Sequence, residues 1–279
     1  MVTRREWLQA ATARLIAAGC EDGGFDARCL LEDIGELPRG SMPDETPLSA
    51  QQVADLTQAL TQREAGRPLQ YILGEWEFLT LILKVGEGVL IPRPDTELLC
   101  ELAADRLAGT DAPRVLDLCA GSGCVGLGVA SLYPPARVTA VELSEAALPY
   151  LRANVACYPR LAVTVRQADV LTDWDTFADG WDAILSNPPY IPTADLPGLM
   201  REVQHEPKIA LDGSADGLAF YRVIAGNWCK KLRDGGFCAV EVGFDQAQAV
   251  AALFAGAGLK NIEIHPDLAG IPRVVTGEK

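Results

Sequence analysis

The segment RVLDLCAGSGCVG, residues 114–126, joins an apolar run to a glycine-rich loop and is a strong indication of the fold. The apolar run predicts a buried strand, and the pattern after the loop predicts a helix. Gly121, Gly123 and Gly126 match GxGxxG, and Glu142 follows about 20 residues after the first of them. Glycines let the backbone approach a ligand closely, and a carboxylate accepts hydrogen bonds from ribose hydroxyls. The combination therefore predicts nucleotide or nucleoside binding rather than a plain packing turn.

Strand and helix patterns alternate through the rest of this region. The predicted strands lie at 113–119, 137–143, 161–169, 181–189 and 235–243, with two short strands within 261–277. A helix is predicted over 215–232, and an earlier one follows the motif PRPDTE, with Asp95 or Thr96 as its cap. Repeated βα units imply an α/β fold in which helices cover both faces of a mostly parallel sheet. Ligands in such folds bind beyond the carboxyl ends of the strands.

The chain before this region differs in character. Residues 1–68 carry helical rather than strand periodicity, so we predict a small helical domain in which Ser49 caps one helix. Residues 69–92 are rich in β-branched and aromatic side chains with glycine punctuation, which predicts a β-hairpin linker. Residues 93–279 then form the α/β domain.

Composition narrows the class of protein. The 279 residues include 24 Lys and Arg against 38 Asp and Glu, a formal net charge of −14, which argues against nucleic-acid binding through clustered basic residues. No apolar run reaches the ~18 residues of a membrane span, and the N-terminus reads as an amphipathic helix rather than a secretory signal. Eight cysteines without CxxC spacing predict free thiols, no metal site and a cytoplasmic location. We expect a monomer.

Two acidic residues bear on the identity of the ligand. Asp117 lies just before the glycine-rich loop, where a carboxylate repels a pyrophosphate but pairs with a cationic amino-acid head group. S-adenosylmethionine carries an ammonium and a sulfonium, so the electrostatics favour it over NAD. The alternative is that Asp117 bonds local backbone N–H groups. Asp169, after the third predicted strand, is placed to accept from an adenine amino group or is a solvated turn residue.

The tetrapeptide Asn187-Pro188-Pro189-Tyr190 follows the fourth predicted strand. A rigid turn explains its prolines but neither its amide nor its aromatic ring. A chemical role explains all four residues. The Asn187 side-chain oxygen and the Pro188 carbonyl accept both N–H groups of a planar amide or amine, the prolines fix those acceptors in advance, and Tyr190 offers a flat face. No strong base is needed, because the nitrogen becomes acidic once it is alkylated.

The sequence resembles the protein-(glutamine-N5) methyltransferases that modify peptide chain release factors. The resemblance runs over nearly the whole chain. Its motifs are GRPLQYILGEWEF (66–78), VLIPRPDTELL (89–99), DLCAGSG (117–123), SNPPY (186–190), HEPKIALDG (205–213), DGLAFY (216–221), EVGFDQ (241–246) and GIPRVV (270–275). NPPY alone marks a wider class that includes DNA and RNA amino-methyltransferases, and its combination with IPRPDTE is far more specific.

The resemblance implies a class I S-adenosylmethionine-dependent methyltransferase domain, with a Rossmann-like, mostly parallel seven-stranded sheet, preceded by a helical domain that grips the release factor. The substrate it implies is the glutamine of the Gly-Gly-Gln loop of class 1 release factors, with no direct contact to nucleic acid or membrane. The expected catalytic and substrate-binding residues are Asn187, Pro188, Pro189, Tyr190 and Arg93. The expected methyl-donor site comprises Asp117, Cys119, Ala120, Gly121, Gly123, Glu142, Leu143, Asp169, Val170 and Asn187.

Two positions depart from the family pattern. Relatives often carry glycine in place of Cys119, which puts the closest backbone approach there in doubt, and Asp in place of Glu142, whose longer arm should still reach a ribose. Arg93 either orients an acidic loop or substrate carbonyl or forms a surface salt bridge. Glu206-Pro207 either lines the substrate channel or lies in a solvated loop.

Other functions fit less well. A glutamine methyltransferase acting on a ribosomal protein would use the same chemistry, and IPRPDTE favours a release factor. The net charge counts against a nucleic-acid amino-methyltransferase. An NAD-dependent oxidoreductase leaves NPPY unused, and a non-catalytic binding module would not need Asn187.

Overall fold

The computed structural model describes residues 2–36 and 45–279. The predicted helical region 1–68 therefore includes residues that lie outside the described part of the chain. Two compact units are present. The first comprises Met1–Glu75 with Met200–His205, and the second comprises Trp76–Leu199 with Glu206–Lys279.

The first unit is helical. Its helices are α1 Arg4–Ala17, α2 Gly23–Asp33, α3 Ala50–Glu64 and α4 Leu69–Leu73. The predicted cap at Ser49 is confirmed: Ser49 Oγ accepts from the Gln52 backbone N–H at 3.1 Å, and the Gln52 side chain accepts from the Ser49 backbone N–H at 3.0 Å. This reciprocal pair satisfies two backbone donors that the first turn of a helix otherwise leaves free.

Ion pairs of Arg63 tie the distant segment Met200–His205 to these helices. Arg63 on α3 contacts Asp26 on α2, with 2.7 Å between Arg63 Nε and Asp26 Oδ2. The same guanidinium donates from Nη1 to Glu202 Oε1 at 3.0 Å. Arg201 also donates to the backbone carbonyl of Glu64 at 3.1 Å. One arginine thus holds carboxylates from two parts of the chain that are far apart in sequence.

The region predicted as a hairpin linker contains both a helix and a hairpin. Residues Leu69–Leu73 form α4, which starts after Pro68 and ends where Gly74 takes a left-handed φ of 81°. Strands β1 Glu75–Phe78 and β2 Leu81–Lys84 then form a two-stranded sheet. Proline just before a first turn and glycine just after a last turn are helix boundary signals, and they outweigh the β-branched composition here.

The second unit is built on a seven-stranded sheet. Its strands are β3 Arg114–Leu118, β4 Arg137–Glu142, β5 Ala162–Gln167, β6 Trp181–Ser186, β7 Leu232–Glu241, β8 Lys260–Pro266 and β9 Pro272–Glu278. Their order is β5-β4-β3-β6-β7-β9-β8, with parallel pairing from β5 to β7 and antiparallel pairing of β9 with both neighbours. The predicted α/β fold with a mostly parallel seven-stranded sheet is confirmed.

Helices cover both faces of this sheet because alternate strand residues point to opposite sides. They are α5 Glu97–Leu107, α6 Cys124–Leu132, α7 Leu148–Cys157, α8 Ala219–Gly226 and α9 Ala247–Gly256. Val115 on β3 belongs to a core with residues of α5, α6 and α7. Its neighbour Leu116 belongs to a second core with residues of α8 and α9. Both side chains are fully buried.

The helix predicted over 215–232 is shorter than expected. Gly217 has a φ of 73°, which is incompatible with a right-handed helix, so α8 starts only at Ala219. The helix ends at Gly226, and Trp228–Lys231 form a separate 3₁₀ turn before β7. Within the described part of the chain, no helix combines the length and apolar character needed to cross a membrane.

Candidate active site

A cavity lies at the carboxyl ends of β3 and β6, where the order of the sheet reverses. From β3 the chain continues to β4 and β5 on one side, and it returns to β6 on the other side. Such a reversal leaves a crevice that the connecting loops do not cover. The cavity has a volume of about 280 Å³. Its lining includes residues 88–93, Thr96, 119–122, 124–125, 142–144, 169–171, Asn187, Pro189 and Pro207.

The glycine-rich loop forms one wall of this cavity, and its backbone explains its composition. Gly123 has a φ of 85°, and a Cβ there would lie 2.6 Å from Leu151 Cδ1. Cys119 has a φ of 59°, in the left-handed region where glycine is favoured. The expected preference for glycine at this position therefore has a conformational cause, and Cys119 adopts a backbone of that kind here. Cys119, Ala120 and Gly121 all line the cavity.

Glu142, at the end of β4, is held in place by backbone N–H groups. Its Oε2 accepts from Gly121 N at 2.8 Å and its Oε1 accepts from Ser144 N at 2.7 Å. The carboxylate thus joins the glycine-rich loop to the loop after β4. Glu142 and Leu143 both lie on the cavity wall.

Asp117 is buried at 1% exposure and is not among the residues lining the cavity in the described chain. Its Oδ2 accepts from the backbone N–H of Gly126 at 2.9 Å, which fastens α6 to β3. Its Oδ1 is buried and has no hydrogen-bond partner among the described residues. Burial raises the pKa of Asp117 to about 7, and the negative charge of Glu142 acts in the same direction. The backbone-bonding alternative describes the Oδ2 contact, and pairing with a cationic ligand stays a prediction.

Asp169 and Val170 follow β5 and reach the cavity from that side. Asp169 Oδ1 accepts from the Leu171 backbone N–H at 2.8 Å, an arrangement that shapes the turn. Leu171 is 38% exposed at the cavity rim. This side of the cavity therefore presents one carboxylate beside apolar side chains.

The NPPY motif lies directly after β6. Asn187 and Pro189 line the cavity, whereas Pro188 is buried and Tyr190 packs against the apolar core between the sheet, α8 and α9. The backbone beyond the motif is fixed, since Ile191 N donates to the carbonyl of Leu211 at 2.9 Å and Ile191 O accepts from Gly213 N at 2.8 Å. Burial raises the pKa of the Tyr190 phenol, which therefore stays neutral.

A chain of buried hydrogen bonds leads inward from Asn187. Its Nδ2 donates to Thr96 Oγ1 at 3.1 Å, and Thr96 Oγ1 donates to Glu241 Oε2 at 2.6 Å. Thr96 occupies the N-cap position of α5, one of the two predicted alternatives, but its side chain makes no cap hydrogen bond. The hydroxyl is used by the distant Asn187 and Glu241. Burial raises the pKa of Glu241 to about 7, against the opposing effect of the Thr96 hydrogen bond.

Sequence reasoning missed Thr96 and Glu241 as residues of the site. Both lie within motifs that carry the family resemblance, IPRPDTE and EVGFDQ. Their membership of these motifs could have marked them as site residues. No local pattern links positions 96, 187 and 241.

Arg93 and Glu206 form an ion pair at the cavity. Glu206 is 4% exposed, and its second oxygen accepts from the Ile91 backbone N–H at 3.0 Å. Arg93, Pro92 and Pro207 line the cavity. Burial raises the pKa of Glu206, and the adjacent guanidinium opposes that rise. Arg93 thus belongs to the cavity wall and its carboxylate partner is buried, so the pair is not an isolated surface bridge.

Comparisons with known proteins agree with this architecture. Two family models match: the PrmC N-terminal domain over residues 6–74 and the methyltransferase small domain over residues 95–203. The release factor glutamine methyltransferase of Caulobacter vibrioides is 39% identical over 97% of this chain and 94% of its own length. The protein of the same name from Moorella thermoacetica is 40% identical over 98% of this chain and 97% of its own length.

A solved structure supports the fold alone. The 16S rRNA N2 G1207 methyltransferase of T. thermophilus, in complex with AdoMet and guanosine, superposes with a TM-score of 0.52 at 22% identity. The superposition covers 74% of this chain and 49% of that one.

Proposed function

The chain belongs to the family of release factor glutamine methyltransferases. We propose that it methylates the N5 side-chain nitrogen of the glutamine in the Gly-Gly-Gln loop of class 1 peptide chain release factors. The observation that carries the proposal is the position of Asn187. Asn187 lines the cavity at the carboxyl ends of β3 and β6, and its amide nitrogen is bound to Thr96. An oriented amide oxygen at that place is what a carboxamide substrate requires.

We propose S-adenosylmethionine as the methyl donor, and the cavity suits it. A volume of about 280 Å³ is close to the ~300 Å³ lower range of cofactor pockets. Glu142 offers a carboxylate for ribose hydroxyls, and Asp169 and Val170 form the side expected for adenine. Asp117, whose buried Oδ1 has no hydrogen-bond partner within residues 2–36 and 45–279, precedes the loop expected to meet the amino-acid end. When bound, the donor supplies an electrophilic methyl group on a sulfonium sulfur.

The residues of the motif orient the substrate rather than deprotonate it. In this proposal the Asn187 oxygen and the Pro188 carbonyl accept the two N–H groups of the glutamine amide, whose nitrogen is otherwise a poor nucleophile. Pro188 and Pro189 fix these acceptors before the substrate arrives, which removes an ordering cost. As the nitrogen forms its bond to the methyl carbon, the methyl–sulfur bond would break and the sulfur would keep that electron pair as a neutral thioether. The alkylated nitrogen would then release one proton to solvent. Tyr190 supports the planar group, and Arg93 lines the approach.

The proposal extends to the setting of the reaction. Methylated release factors act in translation termination, so we place the protein in the cytoplasm, as a monomer that contacts a protein substrate without binding nucleic acid. The net charge of −14 supports the last point, since phosphate binding relies on clustered basic residues. In this proposal the helical unit recognises the release factor.

Mass spectrometry of a purified release factor, incubated with this protein and S-adenosylmethionine, tests the proposal. We expect one added methyl on the glutamine of the Gly-Gly-Gln loop and none on a Gln→Ala loop variant. Equal labelling of that variant would overturn the assignment. A ribosomal-protein fraction assayed in parallel distinguishes the alternative glutamine substrate.

Asn187→Ala provides the matched test within the enzyme. We expect methylation to fall by about 10²- to 10³-fold, the usual loss when one group that stabilises the reacting atoms is removed. Donor affinity, measured by calorimetry, separates a failure of chemistry from a failure of binding.

A further inference from the structure

Thr96 occupies an unusual position between two polar side chains. It is 1% exposed in the 3₁₀ turn Pro94–Thr96, and it still contributes to the cavity wall beside Asn187. Its single hydroxyl makes two hydrogen bonds, one from Asn187 Nδ2 at 3.1 Å and one to Glu241 Oε2 at 2.6 Å. Glu241 is 1% exposed at the end of β7. Burial of a charged carboxylate at the end of β7 lowers the stability of the folded protein unless the group is hydrogen-bonded.

The chemistry of the three groups fixes which group donates and which accepts in each of the two hydrogen bonds. A carboxylate only accepts, so the hydroxyl proton of Thr96 must point to Glu241. The hydroxyl oxygen then has only lone pairs to offer to Asn187. The Asn187 amide therefore turns its nitrogen inward, and its oxygen is the end left for the cavity. A flipped amide would place an oxygen against the hydroxyl oxygen, with no proton between them.

Some charged groups around Glu241 raise its pKa and others lower it. Burial raises its pKa to about 7, Asp95 adds to that rise, and Arg273 and Arg93 oppose it. The Tyr221 hydroxyl is bound to the Glu241 backbone carbonyl at 2.8 Å, so it does not compete with Thr96 for the carboxylate. Above neutral pH Glu241 is therefore the acceptor that the Thr96 hydroxyl requires.

We propose that Thr96 and Glu241 are positioning residues for methyl transfer, which lock the Asn187 amide with its oxygen toward the substrate nitrogen. This inference rests on the proposed function and deepens it. Neither residue touches the reacting atoms. Together they decide which end of Asn187 the substrate meets, so that a donor N–H of the glutamine faces an acceptor and not another donor.

The test compares two variants of Thr96 at about pH 8.5, where a group with a pKa near 7 is ionised. Thr96→Val keeps the shape and removes the hydroxyl, and we expect kcat for release factor methylation to fall about 10- to 100-fold, in the range of a misplaced catalytic group. Thr96→Ser restores the hydroxyl and should stay within about threefold of the wild-type enzyme. Equal losses in both variants, or full activity of Thr96→Val, would overturn the proposal.

A matched control isolates the effect from general destabilisation. Thr276 on β9 is also fully buried, and its hydroxyl lies 3.0 Å from His265 Nε2. Thr276→Val therefore loses a comparable buried hydrogen bond outside the cavity, and we expect wild-type kcat. Donor affinity should change by less than about twofold in Thr96→Val, because the residue acts on the substrate amide. A loss of donor affinity that accounts for the fall in rate would contradict the proposal.

A double variant tests whether Thr96 works through Asn187. If it does, Thr96→Val combined with Asn187→Ala will be no slower than Asn187→Ala alone, since residues that act as a unit are not additive. Multiplied losses would overturn the inference. Absence of methylation by the wild-type enzyme would contradict the proposed function as well, whereas an active wild-type enzyme with an unimpaired Thr96→Val variant would contradict only this inference.

Discussion

Gln246 fixes the backbone of Tyr190: its Nε2 donates to the Tyr190 carbonyl oxygen at 2.8 Å. The same amide accepts from Gly243 N at 3.1 Å through Oε1. Gln246 is 8% exposed and precedes α9. The end of the NPPY motif is thus tied to the loop after β7, because one side chain binds the backbone that follows β6 and the backbone that follows β7.

Gln246→Met should loosen this tie while it keeps the side-chain length. The Tyr190 carbonyl and the Gly243 N–H each lose a partner, and an unmet buried polar group costs about 1–3 kcal/mol. We expect a lower free energy of unfolding in urea and a kcat for methylation reduced by about tenfold. Unchanged kinetics would show that Tyr190 does not depend on this contact.

Gly217→Ala should displace the backbone of Tyr190. Gly217 has a φ of 73°, and a Cβ there would lie 2.3 Å from the Tyr190 carbonyl oxygen. The left-handed backbone alone costs about 1–2 kcal/mol for alanine, and the overlap adds to that. We expect a large fall in melting temperature. The control Gly256→Ala, at the end of α9 with open space around it, should leave the melting temperature unchanged or raise it.

Cys119 allows a comparison of two small replacements at one backbone position. Because its φ is 59°, Cys119→Gly should be more stable than Cys119→Ala by about 1 kcal/mol. At an ordinary position the order is reversed, because glycine raises the entropy of the unfolded chain. Urea unfolding of both variants measures the difference, and an advantage for alanine would contradict the left-handed assignment.

Stability should fall as pH rises from about 4 to 7, because burial raises the pKa values of Asp117 and Glu241 to about 7. In that window the unfolded chain has released both protons while the native protein still holds them, so the unfolded state binds fewer protons and the slope is negative. Well above pH 7 both groups are ionised in either state, and the contribution no longer changes.

Asp117→Asn isolates one of these two groups. It keeps an oxygen for the Gly126 N–H but cannot titrate, so the decline in unfolding free energy between about pH 4 and 7 should become shallower. Urea unfolding at a series of pH values measures the slope. A slope identical to that of the wild-type protein would show that Asp117 does not titrate in this range.

Much of the architecture could be predicted because it depends on local patterns. The alternation of apolar runs and helical periodicity located the strands of the large sheet, and the Ser49 capping box is a short-range signal. The predictions failed where one residue overrides its neighbours. Gly217 delays α8, and Pro68 with Gly74 encloses a short helix in a segment of strand-like composition.

The polar interior of the site could not be predicted in the same way. Thr96 has the sequence context of a helix cap, and only the folded chain brings it between Asn187 and Glu241. Asp117 was expected to face a ligand because of its place before the loop, and its carboxylate also anchors α6 through Gly126. Because these hydrogen bonds join residues that are far apart in sequence, the periodicity of the sequence does not predict them.

The ion pair between Arg63 and Glu202 has a practical consequence for anyone who wishes to trim this enzyme. Met200–His205 begins ten residues after Tyr190, yet it belongs to the unit formed by the N-terminal helices. A truncation that removes residues up to 75 would strip Glu202 of its cation and leave that stretch without the surface on which it packs. The N-terminal helices are therefore no detachable accessory, and a shortened gene product should lose order in Met200–His205.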